Sequence, residues 1–137
     1  MQACARAPWT PLIARIFLSA PFVVSGFNKL QNFNQTLVSI TSLTSESVAL
    51  PLTALAILFE LGGGLMLLFD WKTEHAISIL IVFLVLATIM VHSDFSDPAT
   101  GAKNLSQLLK NFALVGGLLL MARYAIWETK KEASSIN

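Results

Sequence analysis

The chain has 137 residues, 55% of them hydrophobic and only 12% charged, with a formal net charge of +1. Soluble domains carry about 25% charged residues, so this composition leaves too little polar surface to coat a globule in water. The mean hydropathy of +0.68 agrees. The length fits one domain, residues 1–137, and the absence of a basic block argues against nucleic acid as a partner.

A helix that crosses a bilayer needs about 20 mostly apolar residues. Four stretches meet or approach that: 8–30, 48–69, 76–92 and 108–127. They predict an all-α integral membrane protein, a four-helix bundle. In the first stretch Arg15 interrupts the apolar run and no clean A-x-A site follows, so it reads as a span rather than a cleaved leader. Arg15, Ser19, Phe22, Gly26 and Lys29 recur at steps of four and three, which places them on one seam of a helix. Pro21 withholds a donor from the Phe17 carbonyl and predicts a kink.

Between the first and second spans, Phe33, Leu37 and Ile40 recur at helical spacing and predict a short interfacial helix. On the second span Ala56, Glu60 and Gly64 step by four and predict one face. Residues 70–75 form a tight turn to the third span, which ends near His92. The stretch 93–103, with Asp94, Asp97, Pro98 and Gly101, reads as a loop. Asn104 with Gln107 then resembles a capping box opening the fourth helix. Trp9, Trp71, Tyr124 and Trp127 fall at span ends, as an aromatic belt does. Four spans put both termini on one side. The excess of Arg6, Lys72, Arg123, Lys130 and Lys131 there over Lys29, Lys103 and Lys110 opposite predicts cytoplasmic termini.

Ionisable groups inside a bilayer cost about 3 kcal/mol or more each, so they turn inward and pair. Measured from the span ends, Arg15 and Glu60 lie at similar depth, which predicts an Arg15–Glu60 ion pair. It would either hold two helices in register or line a functional path. A second cluster, Asn28, Lys29, His92, Lys110 and Asn111, gathers at the other ends of the spans. There the lysines could simply reach the headgroups. Alternatively the five residues form a polar pocket for an anionic or carbonyl-bearing headgroup such as a quinone, with His92 able to exchange protons near neutral pH. Gly26, Gly62, Gly63, Gly64, Gly116 and Gly117 read as helix-packing points. The single cysteine, Cys4, excludes an internal disulfide and CxxC chemistry, and with two histidines, His75 and His92, the chain lacks the ligands of a conventional zinc site. No metal and no intrinsic cofactor is expected.

Several motifs in linear order resemble the DoxX family of bacterial membrane proteins. They are Arg15-Ile16-Phe17-Leu18, Ser25-Gly26-Phe27-Asn28-Lys29-Leu30, Phe59-Glu60-Leu61-Gly62-Gly63, a histidine closing the third span, and Leu109-Lys110-Asn111-Phe112-Ala113-Leu114 with Gly116-Gly117. The resemblance runs from about Ile13 to Met121. It implies a four-helix protein of the bacterial inner membrane. It also implies a link to quinone-dependent or oxidative-stress systems, where similar proteins serve as membrane subunits of a terminal quinol oxidase or a thiosulfate:quinone oxidoreductase. Arg15, Gly26, Lys29, Glu60, Gly62, Gly63, His92, Lys110 and Asn111 occupy the family's recurrent polar and glycine positions. The leading expectation is a membrane subunit or accessory of a quinone-linked redox system, with quinone as ligand and redox proteins as partners. A small carrier or binding module for a lipid or other hydrophobic molecule is the alternative, for which the glycines make a homo-oligomer feasible. A non-catalytic scaffold is a third.

Overall fold

The structure is a computed structural model that describes residues 9–91 and 98–135. Those residues form helices and turns, with no strand among them. Helix α1 spans Thr10–Gln31 and opens with Pro11 in its first turn, where a missing N–H is not needed. Helix α2, Phe33–Thr41, follows after Asn32 and is the short helix expected from Phe33, Leu37 and Ile40. Those three side chains are half-buried. The second span comprises α3 (Glu46–Ile57), a π turn (Leu58–Gly62) and α4 (Gly63–Leu68). Helices α5 (Thr73–Val91) and α6 (Pro98–Ser135) complete the chain.

Four helices are long and apolar enough to cross a membrane: Thr10–Gln31, Glu46–Leu68, Thr73–Met90 and Gly101–Glu128. These match the four expected spans to within a few residues, except for the start of the last. The stretch 93–103 was expected to be a loop, yet helix runs from Pro98. Pro98 stands at the first helical position, where proline is favoured. Asn104 and Gln107 therefore lie inside α6 rather than at its start. Helix also continues to Ser135, past the expected end of the fourth span at 127.

Large apolar side chains point outward throughout: Phe17, Val38, Leu58, Phe69 and Leu120 are each more than 60% exposed. Such exposure suits lipid, where apolar outer faces need no cover. The small core joins Phe22 of α1, Leu67 of α4, Ala76, Ile77, Leu80 and Leu84 of α5, and Leu118 and Met121 of α6. As the seam predicts, Ser19, Phe22 and Gly26 are buried along α1, with Arg15 and Lys29 half-buried at its ends. The buried face of the second span runs through the π turn at ordinary helical spacing, from Ala49 and Thr53 onward. Ile57 is buried where Ala56 was expected, followed by Glu60, Gly63, Gly64 and Leu67.

Two glycines set how α1 meets the second span. A methyl group on Gly26 would stand 2.8 Å from the Leu61 backbone nitrogen. One on Gly64 would stand 3.0 Å from Val23 Cγ2 and 3.2 Å from its backbone nitrogen. The helices thus touch almost backbone to backbone, as small residues permit in membranes. Gly63 sits under Leu80, and Gly117 under Leu18. Gly62 and Gly116 do not pack: a methyl group on either would meet nothing within 4 Å. Consecutive helical residues point about 100° apart, so a run of glycines cannot all face one neighbour.

Candidate functional site

The polar groups of the first two spans pair otherwise than the sequence suggested. Lys29 Nζ lies 2.6 Å from Glu60 Oε2 and also donates to Ser25 Oγ at 2.8 Å. Arg15 lies 2.8 Å from Asp70 Oδ2 at the far end of the second span. The expected Arg15–Glu60 pair is therefore replaced by two other pairs. The depth estimate assumed that the spans end flush. Instead Gly26 faces Leu61 and Gly64 faces Phe22–Val23, so the second span is displaced along α1. That offset lifts Glu60 to the level of Lys29 and lowers Arg15 to the turn beyond Leu68. The overhanging α3 packs on α2, while the π turn and α4 carry most of the contact with α1.

Glu60 is 6% exposed and belongs to the π turn. Single π turns recur at functional sites because the extra residue re-aims a side chain. Its carboxylate faces a cationic partner held in place by Ser25, and the Lys29 side chain keeps 30% exposure. The pair can thus communicate with whatever occupies the space outside it.

That space is an open cleft of about 770 Å³. One wall is apolar, made by Phe17, Ala20, Pro21 and Val24 on a single face of α1. The other end is polar, formed by Ser25, Asn28, Lys29, Asn32, Thr36 and Lys110. Asn32 gives one of its two side-chain N–H groups to the Asn28 carbonyl, and Thr36 its hydroxyl to the Asn32 carbonyl. Of the five residues assigned to a headgroup pocket, Asn28, Lys29 and Lys110 line this cleft. Asn111 does not. It is buried between α5 and α6, where its Nδ2 donates to Thr88 Oγ1 at 2.8 Å. Asn111 points about 100° round α6 from Lys110, toward Thr88 of α5 rather than the cleft. His92 lies outside the described residues.

The opposite end of the bundle holds a second polar recess, about 380 Å³, lined by Arg15, Asp70, Thr73, His75 and Glu128 among others. Asp70 ties three elements together: it stands at the turn in a left-handed conformation (φ 58°), binds Arg15 of α1, and accepts from Thr73 Oγ1 at 2.6 Å where α5 begins. Tyr124 donates to Glu128 within α6 beside it. Among the described residues the buried Arg15 Nε has no hydrogen-bond partner, and Asp70 holds the guanidinium through its Nη2. Sequence reasoning missed Asp70 and Thr88. Asp70 was legible as the carboxylate closing the second span. Thr88 carries no signal in a run of apolar residues.

A membrane-spanning bundle with a buried Lys29–Glu60 pair beside an open, half-apolar cleft is the class of protein defined by these features. The DoxX family model matches residues 10–93, which cover the first three spans and the Lys29–Glu60 pair. The chain belongs to the DoxX family. It is 32% identical over 111 residues to Inner membrane protein YqjF of Escherichia coli (strain K12), covering 81% of this chain and 80% of that protein. It is 28% identical over 123 residues to Inner membrane protein YphA of the same organism, covering 86% and 84%. No solved structure is significantly similar.

Proposed function

We propose that this chain is an inner-membrane subunit or accessory of a quinone-linked redox or oxidative-stress system, and that the cleft beside Lys29 and Glu60 receives the quinone headgroup. The observation that carries this reading is the retained charge pair. A buried carboxylate in hydrocarbon is costly and marks function more often than architecture. Here it adjoins a space shaped for an amphiphile. An isoprenoid tail would follow Phe17, Pro21 and Val24, and carbonyl oxygens would meet the Lys29 ammonium and the Asn28 amide. The chain offers no electron carrier of its own in this reading, so electrons pass between the quinone and partner redox proteins. Both termini face the cytoplasm, which places the cleft toward the outer leaflet.

Support comes from the names of the relatives, both inner membrane proteins, from the cleft's lining, and from the family's redox associations. Organic extraction of gently purified protein, followed by mass spectrometry, is the test. A quinone enriched with the parent and lost from folded Glu60→Gln protein is the expected result, with His92→Ala run beside it to ask whether that histidine takes part. Enrichment of a specific lipid in place of any quinone would move the assignment to a carrier or binding module. The absence of both would leave a scaffold.

A further inference from the structure

Within the cleft the charges do not cancel. Lys29 is committed: Glu60 neutralises it at 2.6 Å and Ser25 holds it at 2.8 Å. Lys110 lines the same cleft from α6, and among the described residues it has no anion beside it. The three charged groups sum to one positive charge, and that charge resides on Lys110. Asn28 also keeps its side-chain amide uncommitted among the described residues, whereas Asn32 gives one of its two N–H groups, and Thr36 its hydroxyl, to backbone carbonyls. The uncompensated charge at the polar end is therefore the Lys110 ammonium, with the Asn28 amide as a neutral donor in the same lining. Farther along the cleft, Phe17, Ala20, Pro21 and Val24 offer only apolar carbon.

We propose that the cleft selects amphiphiles whose head carries a negative charge, and that Lys110 is the residue that selects them. This deepens the quinone reading, on whose site it rests, by naming the charge state of the ligand. A neutral head would gain a hydrogen bond from Asn28 and leave the Lys110 charge uncompensated. An anionic head would gain a charge-assisted bond, the stronger kind. The shared chemistry can come from an acidic hydroxyquinone or from the phosphate of an anionic phospholipid. Lys29 does not serve in this role, because withdrawing it from Glu60 would leave a buried carboxylate unpaired.

The test uses the full chain in nanodiscs of phosphatidylcholine. Three probes are titrated against parent and Lys110→Gln protein: an alkyl-tailed hydroxynaphthoquinone above its own pKa, its neutral methyl ether, and phosphatidylglycerol added to the disc. The hydroxyquinone is followed by its visible absorbance, and retained lipid by native mass spectrometry. Lys110 is exposed, and circular dichroism and thermal unfolding check that the variant folds as the parent does. Parent protein should prefer at least one anionic probe over the neutral ether, and Lys110→Gln should weaken that probe about tenfold while leaving the ether unchanged. Equal binding of anionic and neutral probes, or an anionic affinity indifferent to Lys110→Gln, overturns the inference. The arms also separate it from the reading beneath it. Phosphatidylglycerol bound through Lys110 with neither quinone bound keeps the inference and removes the quinone. The neutral ether bound as tightly as the hydroxyquinone keeps the quinone and removes the inference.

Discussion

At the scale of single residues, the two ion pairs differ in environment and so in weight. Glu60 has 8% of its side chain exposed, whereas Asp70 has 50%. Breaking a buried pair strands a charge and costs about 3 kcal/mol, while an exposed pair contributes about 0–1 kcal/mol. Glu60→Gln should therefore lower stability by about 3 kcal/mol, and Asp70→Asn by less, about 1–2 kcal/mol, because Asp70 is half exposed while the Arg15 it leaves is only 15% exposed, read from thermal unfolding in a single mild detergent. A double-mutant cycle identifies the partners directly. Lys29 and Glu60 should couple by about 1 kcal/mol or more, and Arg15 and Glu60 by an amount near zero. Measurable coupling in the second cycle would restore the pairing that depth alone suggested. Asn111→Leu should cost about 0.6 kcal/mol for its lost bond to Thr88, the usual worth of one interhelical hydrogen bond in a membrane.

Elements meet through glycine, and the structure sorts six glycines into those that are needed and those that are not. At Gly26 the first atom an added methyl group would strike is backbone, at 2.8 Å, and backbone cannot swing aside. Gly26→Ala should destabilise the bundle by about 1–3 kcal/mol, the typical cost of overpacking. Gly62→Ala and Gly116→Ala meet nothing within 4 Å and should stabilise by a few tenths to about 1 kcal/mol, because alanine is the better helix former. The ranking of the three variants by unfolding midpoint is the measurement, and a harmless Gly26→Ala would mean that α1 and the second span do not approach as closely as described. Gly26 was readable on the seam of α1. Which members of Gly62-Gly63-Gly64 and Gly116-Gly117 touch a neighbour was not, since that depends on how each helix is rotated against its neighbours.

For the molecule as a whole, α6 is the outlier. Its 38 residues extend about 57 Å, against a hydrocarbon thickness of about 30 Å, so helix stands clear of the apolar layer. Hydrogen exchange should find slow amides across Leu108–Met121 and faster exchange toward Ser135, all within helix. Reporter fusions at the two termini should agree with one another, since four spans return the chain to its starting side. Activity of a cytoplasmic reporter at both ends is expected, and a reporter active only outside would reverse the orientation. Reversal would move the cleft to the inner leaflet without altering its geometry.

Span number, the limits of the first three spans to within a few residues, and the short helix Phe33–Thr41 were legible in the sequence because they follow from local quantities. Apolar run length answers to bilayer thickness, and side-chain period answers to the helix. The seam from Arg15 to Lys29 was legible for the same reason. Pairing was not. Whether Glu60 meets Arg15 or Lys29 depends on how far one helix slides along another, and in lipid no hydrophobic driving force sets that slide. Close contact at Gly26 and Gly64 sets it. The sequence by itself determined a four-span DoxX-type membrane protein with charges on its inner faces. Only the tertiary structure decided which charges pair, Lys29 with Glu60 and Arg15 with Asp70, and that among the described residues Lys110 lines the cleft with no anion beside it.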